Sequence, residues 1–396
     1  MISTAFANAG YVAVAAIVGL LAAEILGDDR LAGVPSAAAT LGTAIAATPL
    51  ALRAVRRGRR IGIGLGYAIA AVGGIVAVAA GQLALIWLLI VAMAMFGSGQ
   101  ASSLQARFAA ADLADDDSRA RAIAMVVWVG TVGAVLGPPA AVWANRIGVD
   151  LGLAEWVGPL FLALVGFALA GLVVNRRLRP DPLEVAGGVD RDAPFENPLQ
   201  GMRRSLTAIW PNPRARLALV TMALSQMAMV AVMTMTPLHM RDHGHADLST
   251  LVISVHVLGM FGLAPLVGIW ADRIGRIQTV AIGAGILAVG TISVVVAGYV
   301  PALMFVGLFL LGLGWCFALI AGSALLTGSL ALEERVPAQG FADVSMSLLG
   351  AVAAFSSGLV KETVGYHWLA NFATIAGFLM LMSSALLKTR STAEAA

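Results

Sequence analysis

Three stretches, Ile61–Ala80, Ile277–Ala297 and Trp368–Leu387, each run for about 20 residues without a charged side chain, the length a helix needs to cross the hydrocarbon of a bilayer. The core of a soluble domain does not use runs of that length. Charged residues make up 12% of the sequence, against about 25% in an ordinary soluble domain. A backbone inside a bilayer must satisfy its own hydrogen bonds, so the spans are helices. Reading the other apolar runs in the same way predicts twelve spans, at 7–27, 36–53, 61–81, 84–108, 122–144, 156–175, 215–238, 249–271, 277–298, 301–328, 342–360 and 366–387. The first lacks a preceding basic segment and a small-residue cleavage site, so it reads as a retained helix and not as a removable signal.

Basic residues set the orientation. With both termini cytoplasmic, only Arg30, Arg146, Arg241 and Lys361 fall outside, and the other Lys and Arg residues fall inside, most densely in Arg53–Arg60. That bias is the one expected of a multi-pass protein in a cytoplasmic (inner) membrane. The net charge of +3 then reflects topology and not nucleic-acid binding. The single cysteine, Cys316, excludes an intrachain disulfide and a cysteine metal cluster. The chain has no GxxxxGK[ST] loop, so ATP is not the driver. It has no membrane-embedded HExxH and no Ser/His/Asp arrangement, so no enzyme and no cofactor is expected.

Between spans 6 and 7 the apolar rhythm breaks. Residues 176–213 are polar and rich in Pro and Arg, and read as a cytoplasmic linker whose basic residues meet anionic headgroups. The linker joins a bundle at 1–175 to one at 214–396. A phrase repeats within both: ALRAVRRG (51–58), AVWANRIG (141–148), GIWADRIG (268–275) and GLVKETVG (358–365). Their final glycines, 58 and 148, then 275 and 365, stand 90 residues apart in each half. The copies end spans 2, 5, 8 and 11, alternately inside and outside. This is the pattern of three-helix units repeated with inverted topology. A second echo, GSGQ (97–100) in span 4 and GLGW (312–315) in span 10, relates the halves. The expected fold is two pseudo-symmetric six-helix bundles.

The motif Gly268-x-x-Ala271-Asp272-Arg273-x-Gly275-Arg276 resembles the cytoplasmic loop motif of the major facilitator superfamily. Gly58-Arg59-Arg60, between spans 2 and 3, is similar to the end of the same motif, with Val55 where the acid would stand. Span 5 carries Gly133-x-x-x-Gly137-Pro138, which resembles the core of the family's antiporter motif, with Ala141 and Val142 in place of its trailing glycine pair. The resemblance covers essentially the whole chain and is nearest to the twelve-helix drug/proton antiporters. It implies a solute carrier with a central cavity, working by alternating access.

Residue chemistry supplies the candidate sites. Asp272, at a helix boundary, can accept hydrogen bonds from backbone N–H groups at a neighbouring helix N-terminus. Arg273 and Arg276 are expected to pair with carboxylates, forming a conformational latch. In the first half Asp112 is the expected substitute for the missing acid. Gly130, Gly133 and Gly137 lie nearly on one face and allow close helix approach, and Pro138 is expected to bend the span. Both features fit gating, or small-residue packing alone.

Ionisable groups inside a span are costly and point to function. Glu24, near Asp28 and Asp29, is expected to take up and release a proton if it faces the cavity, or else to snorkel to the outer surface. Arg107 shares a face with Gln100 and Ser103; it is expected to pair with Asp112 or to line the cavity. His256, with Met260 one turn on, either binds substrate and relays protons or packs. Met222, Gln226, Met229, Met233 and Thr236 form a stripe on span 7, suited to a promiscuous apolar pocket or to bundle packing. His239, His243 and His245 lie outside, where with the methionines they are candidates to capture a soft metal ion.

These features point to a monomeric secondary transporter that exports an apolar or amphipathic small molecule in exchange for protons. The alternatives are an importer of a small metabolite, a soft-metal or metal-complex exporter, and a transport-dead sensor or scaffold.

Overall fold

The computed structural model describes residues 1–27, 33–193, 196–245, 248–298 and 300–393. It contains twelve helices long and apolar enough to cross a membrane, and no strand among the described residues. They are span 1 (Ile2–Leu26), span 2 (Val34–Arg57), span 3 (Arg59–Gln82), span 4 (Ile86–Ala111), span 5 (Arg119–Trp128 and Gly130–Asp150) and span 6 (Val157–Arg177). Span 7 (Pro213–Asp242), span 8 (Ser249–Val257, Leu258–Gly262 and Ala264–Ile274), span 9 (Arg276–Ala297), span 10 (Pro301–Ser329), span 11 (Leu332–Thr363) and span 12 (Tyr366–Ala393) complete the set.

Local chemistry sets the boundaries. Asn212 caps span 7, its side-chain oxygen accepting the N–H groups of Arg214 and Ala215 at 3.0 and 3.2 Å, with Pro213 in the first turn. Gly58 and Gly275 separate spans 2 and 3 and spans 8 and 9. Their φ angles, 88° and 98°, are ones that a side chain resists. The two repeat copies therefore turn in the same way. Gly365 does so too, at φ 97°. The copy ending at Gly148 departs: span 5 stays helical to Asp150 and turns at Gly152, φ 82°. Gly148 instead packs against Gly158, where an added Cβ would lie 3.0 Å from the Gly158 Cα.

Two spans differ in outline from the sequence expectation. Span 11 begins at Leu332 and not at 342, because Gln339 and Asp343, which lower the local hydropathy, are buried and bonded. Span 5 is interrupted at Val129, before Gly130, and stays helical through Pro138 and Pro139. The break thus lies a full two turns ahead of the proline expected to bend the helix.

The chain forms two compact units. The first comprises Met1–Leu113, Val129–Ser205 and Leu332–Val344. Its core runs through Val14, Val18, Tyr67, Phe96, Leu160 and Phe167, with the Phe96 and Phe167 rings 5.2 Å apart. Spans 2 and 4 meet backbone to backbone, since a Cβ on Gly97 would fall 2.3 Å from the Thr43 nitrogen. Small residues do this work inside bilayers.

The second unit comprises Ala114–Trp128, Leu206–Ala331 and Ser345–Ala396. Leu287, Leu308, Leu311 and Ile320 are buried in it. Gly312 brings span 10 against span 8 as Gly97 brings span 4 against span 2; a Cβ there would meet the His256 carbonyl at 2.4 Å. Span 8 contains one π turn, Leu258–Gly262. Such turns recur at functional sites.

Candidate functional site

Among the described residues of the first unit, Arg59, Arg107, Asp181 and Asp343 are buried, and the Asp112 side chain beside Arg59 is 4% exposed. Arg59 heads span 3 and is fully buried; its Nε and Nη2 donate to the Asp112 carboxylate at 2.8 and 3.1 Å, and Nη2 also donates to Gln339 Oε1 at 2.6 Å. Asp181 covers the N-terminus of span 3, accepting the N–H groups of Arg59 at 3.1 Å and Arg60 at 2.7 Å. The same carboxylate accepts the Leu183 N–H at 3.0 Å and so caps the short helix Pro182–Val185. Arg60 reaches out to Asn175 at 3.1 Å.

Higher in span 4, Arg107 donates to Asp343 of span 11 at 2.6 Å and to the Leu104 carbonyl at 2.7 Å. Arg107 is 2% exposed and Asp343 is fully buried. The guanidinium lies 4.3 Å from the Phe108 ring centre. The second carboxylate oxygen of Asp343 has no hydrogen-bond partner among the described residues. A buried oxygen without a hydrogen bond is costly and open to a proton, a water or an ion.

In the second unit Asp272 sits at the end of span 8. It accepts the N–H groups of Ala120 at 2.9 Å and Arg121 at 3.0 Å, and the Arg121 Nε at 3.3 Å. The carboxylate thus lies on the exposed N–H groups and positive dipole end of span 5. Gly268, one turn back, gives the clearance: a Cβ there would fall 2.5 Å from the Ala124 Cβ. Arg276 pairs with Asp116 at 3.1 Å and donates to its main-chain carbonyl. Gly328 leaves room for this guanidinium. Partial burial alone would raise the Asp116 carboxyl pKa, but Arg276 and Arg119 more than offset that and hold it below the ordinary carboxylate value. A depressed pKa adds stability above the ordinary carboxylate range, lost only as pH falls through the lowered value. The Arg276–Asp116 contact is therefore expected to be constant from about pH 5 to 8 and to weaken only in stronger acid, which hydrogen exchange across 114–121 would measure.

Deeper in this unit, the Trp315 indole N–H donates to Gln226 at 2.7 Å, and the Phe261 ring in the π turn meets Trp315 edge-on at 5.8 Å. A polar amide set among aromatic faces is the kind of lining that small-molecule sites use. His256 is buried, its Nδ1 donating to the Leu308 carbonyl at 2.7 Å, while Nε2 is unpartnered among the described residues.

The sequence model of the Major Facilitator Superfamily matches residues 1–264 and 220–396. The chain belongs to this superfamily. It is 37% identical over 384 residues to the uncharacterized MFS-type transporter YdeG of Bacillus subtilis, covering 96% of this chain and 89% of that one. It is 30% identical over 357 residues to the riboflavin transporter RfnT of Brucella anthropi, covering 89% and 86%. Among solved structures it resembles the human organic anion transporter MFSD10, with a TM-score of 0.80 at 14% identity over 97% of both chains. Membership makes the chain a multi-pass membrane transporter of small molecules and not an enzyme.

As a superfamily protein the chain carries its loop chemistry unevenly. Arg276 is engaged, but Arg273 is exposed with no ion pair among the described residues, so only one of the two arginines does the expected pairing. Asp112 bonds Arg59 as a substitute acid, whereas Arg107, expected on Asp112, turns to Asp343. Its position five residues earlier puts it on a different level of span 4. Asn145, at the position of Asp272 in the repeat copy 141–148, accepts the Trp156 N–H at 2.6 Å at the start of span 6.

Gly133 and Gly137 seat span 5 on span 1, where added Cβ atoms would lie 2.7 Å from the Asn8 Cβ and 2.8 Å from the Val12 Cβ. Gly130 is buried just after the helix break. Glu24 is exposed near the end of span 1 and has no hydrogen bond among the described residues; Asp28 and Asp29 lie outside the described residues. The Glu24 carboxylate stands apart from the buried charge clusters of the first unit.

The span 7 stripe is mixed. Met222 packs under Gly322 and accepts from Ser323 at 3.5 Å. Met229 is buried, Met233 and Met260 are half-buried, and Thr236 bonds the Tyr366 hydroxyl at 2.8 Å. Gln100 is half-buried with Oε1 unpartnered, and Ser103 bonds Tyr67 at 3.2 Å. The His239 and His243 rings lie 4.4 Å apart and tilted by 51°, and His239 stacks on Tyr366 at 4.1 Å. Among the described residues no group of His, Cys, Asp or Glu is arranged to hold a metal.

Asp181, Gln339 and Asp343 escaped the sequence reading. Asp181 lies in a linker that reads as solvated, and the other two precede or begin the apolar window of span 11. The available signal was Asp-Pro at 181–182, a helix N-cap followed by an N1 proline.

Proposed function

We propose that this transporter is a proton-coupled exporter of an apolar or amphipathic small organic molecule, with Asp343 as the coupling carboxylate and Arg107 as its positioning partner. The observation that carries this reading is the buried Arg107–Asp343 ion pair inside two spans, with one carboxylate oxygen left open. A proton arriving on that oxygen neutralises Asp343 and loosens its hold on Arg107. Departure of the proton restores the pair. An acid–base change in a dry site thus alters the contact between spans 4 and 11, the kind of two-state element that alternating access requires. Export is supported by the Gly133–Pro138 fragment and its tight seat on span 1. Both termini are taken as cytoplasmic, and the protein as a monomer in the cytoplasmic membrane.

In this reading Asp272 on the N-terminus of span 5 is a latch that holds one conformation. Asp272→Asn keeps the shape but removes the charge, and is expected to shift the conformational equilibrium about tenfold, the effect of a lost cap of ~1 kcal/mol or more. Alkylation of a cysteine placed at Ala120 would report it. Unchanged labelling would take Asp272 out of the latch.

Proteoliposomes test the whole reading: an imposed proton gradient should drive substrate out of the compartment equivalent to the cytoplasm. Transport indifferent to the gradient would sink it. Glu24→Gln is expected to retain gradient-driven transport. A second reading, uptake of a planar heteroaromatic metabolite, is favoured by the Gln226–Trp315–Phe261 group and by the similarity to a riboflavin transporter. Flux in right-side-out and inverted vesicles separates the two.

A further inference from the structure

The first unit holds a cleft of about 330 Å³ between spans 2 and 3 and the linker, at the end that carries the Arg53–Arg60 cluster. Its apolar wall includes Pro49 and Leu52 of span 2 and Leu65 and Ile69 of span 3. Linker residues Pro198 and Arg204 line another side. The helix Pro198–Ile209 lies on span 2, with Gly201 so near that an added Cβ would sit 3.0 Å from a Leu52 methyl.

The charges of this cleft do not balance. Arg204 is matched by Glu196 at 3.0 Å. Arg53 and Arg56, one turn apart on span 2, also line the cleft and form no ion pair among the described residues. The Arg53 Nε–H is buried with no acceptor among the described residues. A buried donor of this kind needs a partner, and two unmatched guanidinium groups favour an anion. The apolar side is not closed off: Leu65 is 41% exposed, and Val72 and Ile75 continue the exposed apolar face of span 3. That face meets lipid in a membrane transporter.

We propose that the cleft binds one anionic phospholipid of the surrounding bilayer, with an acyl chain against Pro49, Leu65 and Ile69 and the phosphate held by Arg53 and Arg56. A soluble anion would satisfy the guanidinium groups but leave the apolar wall wet. A neutral hydrocarbon would do the reverse. A lipid joins the two and braces linker residues 196–204 on span 2. The site is separate from the Arg107–Asp343 pair and does not depend on the direction or coupling of transport.

The full chain in nanodiscs tests the proposal. In phosphatidylcholine discs containing a minor share of phosphatidylglycerol, native mass spectrometry should retain one phosphatidylglycerol per chain, and the melting temperature should exceed that in pure phosphatidylcholine. Arg53→Gln with Arg56→Gln should lower retention at least tenfold, whereas Arg57→Gln, an exposed arginine outside the cleft, should leave it unchanged. Leu65→Trp fills the apolar part without altering charge and should also lower retention. Equal retention by the Arg53/Arg56 double variant or by Leu65→Trp overturns the site. A melting-temperature rise given equally by inorganic phosphate in pure phosphatidylcholine discs shows a phosphate site and overturns the lipid assignment.

Discussion

Asp343→Asn is expected to lose gradient-driven transport by more than about 100-fold, the scale on which a positioned proton-transfer group contributes, while substrate counterflow continues. Asparagine matches the carboxylate in size and can still accept from Arg107, so it mimics the neutral state of Asp343, with the hold on Arg107 loosened and the fold kept. What it cannot do is gain and lose a proton. Asp343→Glu should recover part of the coupled flux, since the titratable group is restored at a slightly different reach. Arg107→Gln should act differently. It leaves a buried carboxylate without its cation, a loss of about 3–5 kcal/mol for broken buried pairs, and so should lower stability as well as flux. Counterflow and pH-jump flux in proteoliposomes separate these outcomes. Undiminished gradient-driven transport by Asp343→Asn would remove the residue from coupling.

The second large effect concerns Arg59 and Asp112. Arg59 is fully buried, and its Nη1 has no hydrogen-bond partner among the described residues. Asp112→Ala removes both carboxylate contacts and leaves the Arg59 guanidinium on Gln339 Oε1 at 2.6 Å. The expected cost is again about 3–5 kcal/mol, visible as a lower melting temperature in detergent. Replacing the pair together, by Arg59→Leu with Asp112→Leu, should recover much of that loss, because a matched apolar pair carries no stranded charge. If the single and double variants melt alike, the bond between the two is not what stabilises the end of span 4.

These two clusters also show where sequence reasoning reached and where it stopped. Asp272 was identifiable because its role is local in type: an acid at a helix end finds a nearby helix N-terminus, and the Ala120 and Arg121 N–H groups supply it. Asp112 was identifiable as the acid near a motif that lacked one. The partner of Arg107 was not. Asp343 is 236 residues away, and nothing in its own neighbourhood distinguishes it from a residue in the turn before a span. For Glu24 the sequence left two readings open, and the structure shows it exposed, two residues before the end of span 1.

The repeated phrase followed the same rule. Its glycines forecast equivalent turns at Gly58 and Gly275, because the positive φ is a property of one residue and its immediate neighbours. It did not forecast that span 5 would run past Gly148, since that depends on Gly158 packing against it.

The sequence by itself determined the helical class, the twelve spans, the repeat and the loop acid. Each follows from short-range facts: run length against bilayer thickness, backbone hydrogen bonding, and charge at helix ends. Only the tertiary structure decided which buried charges meet, because a pair such as Arg107 and Asp343 is chosen by the packing of two helices far apart in the chain. Burial makes that choice matter, as the same two side chains in water would gain almost nothing from each other.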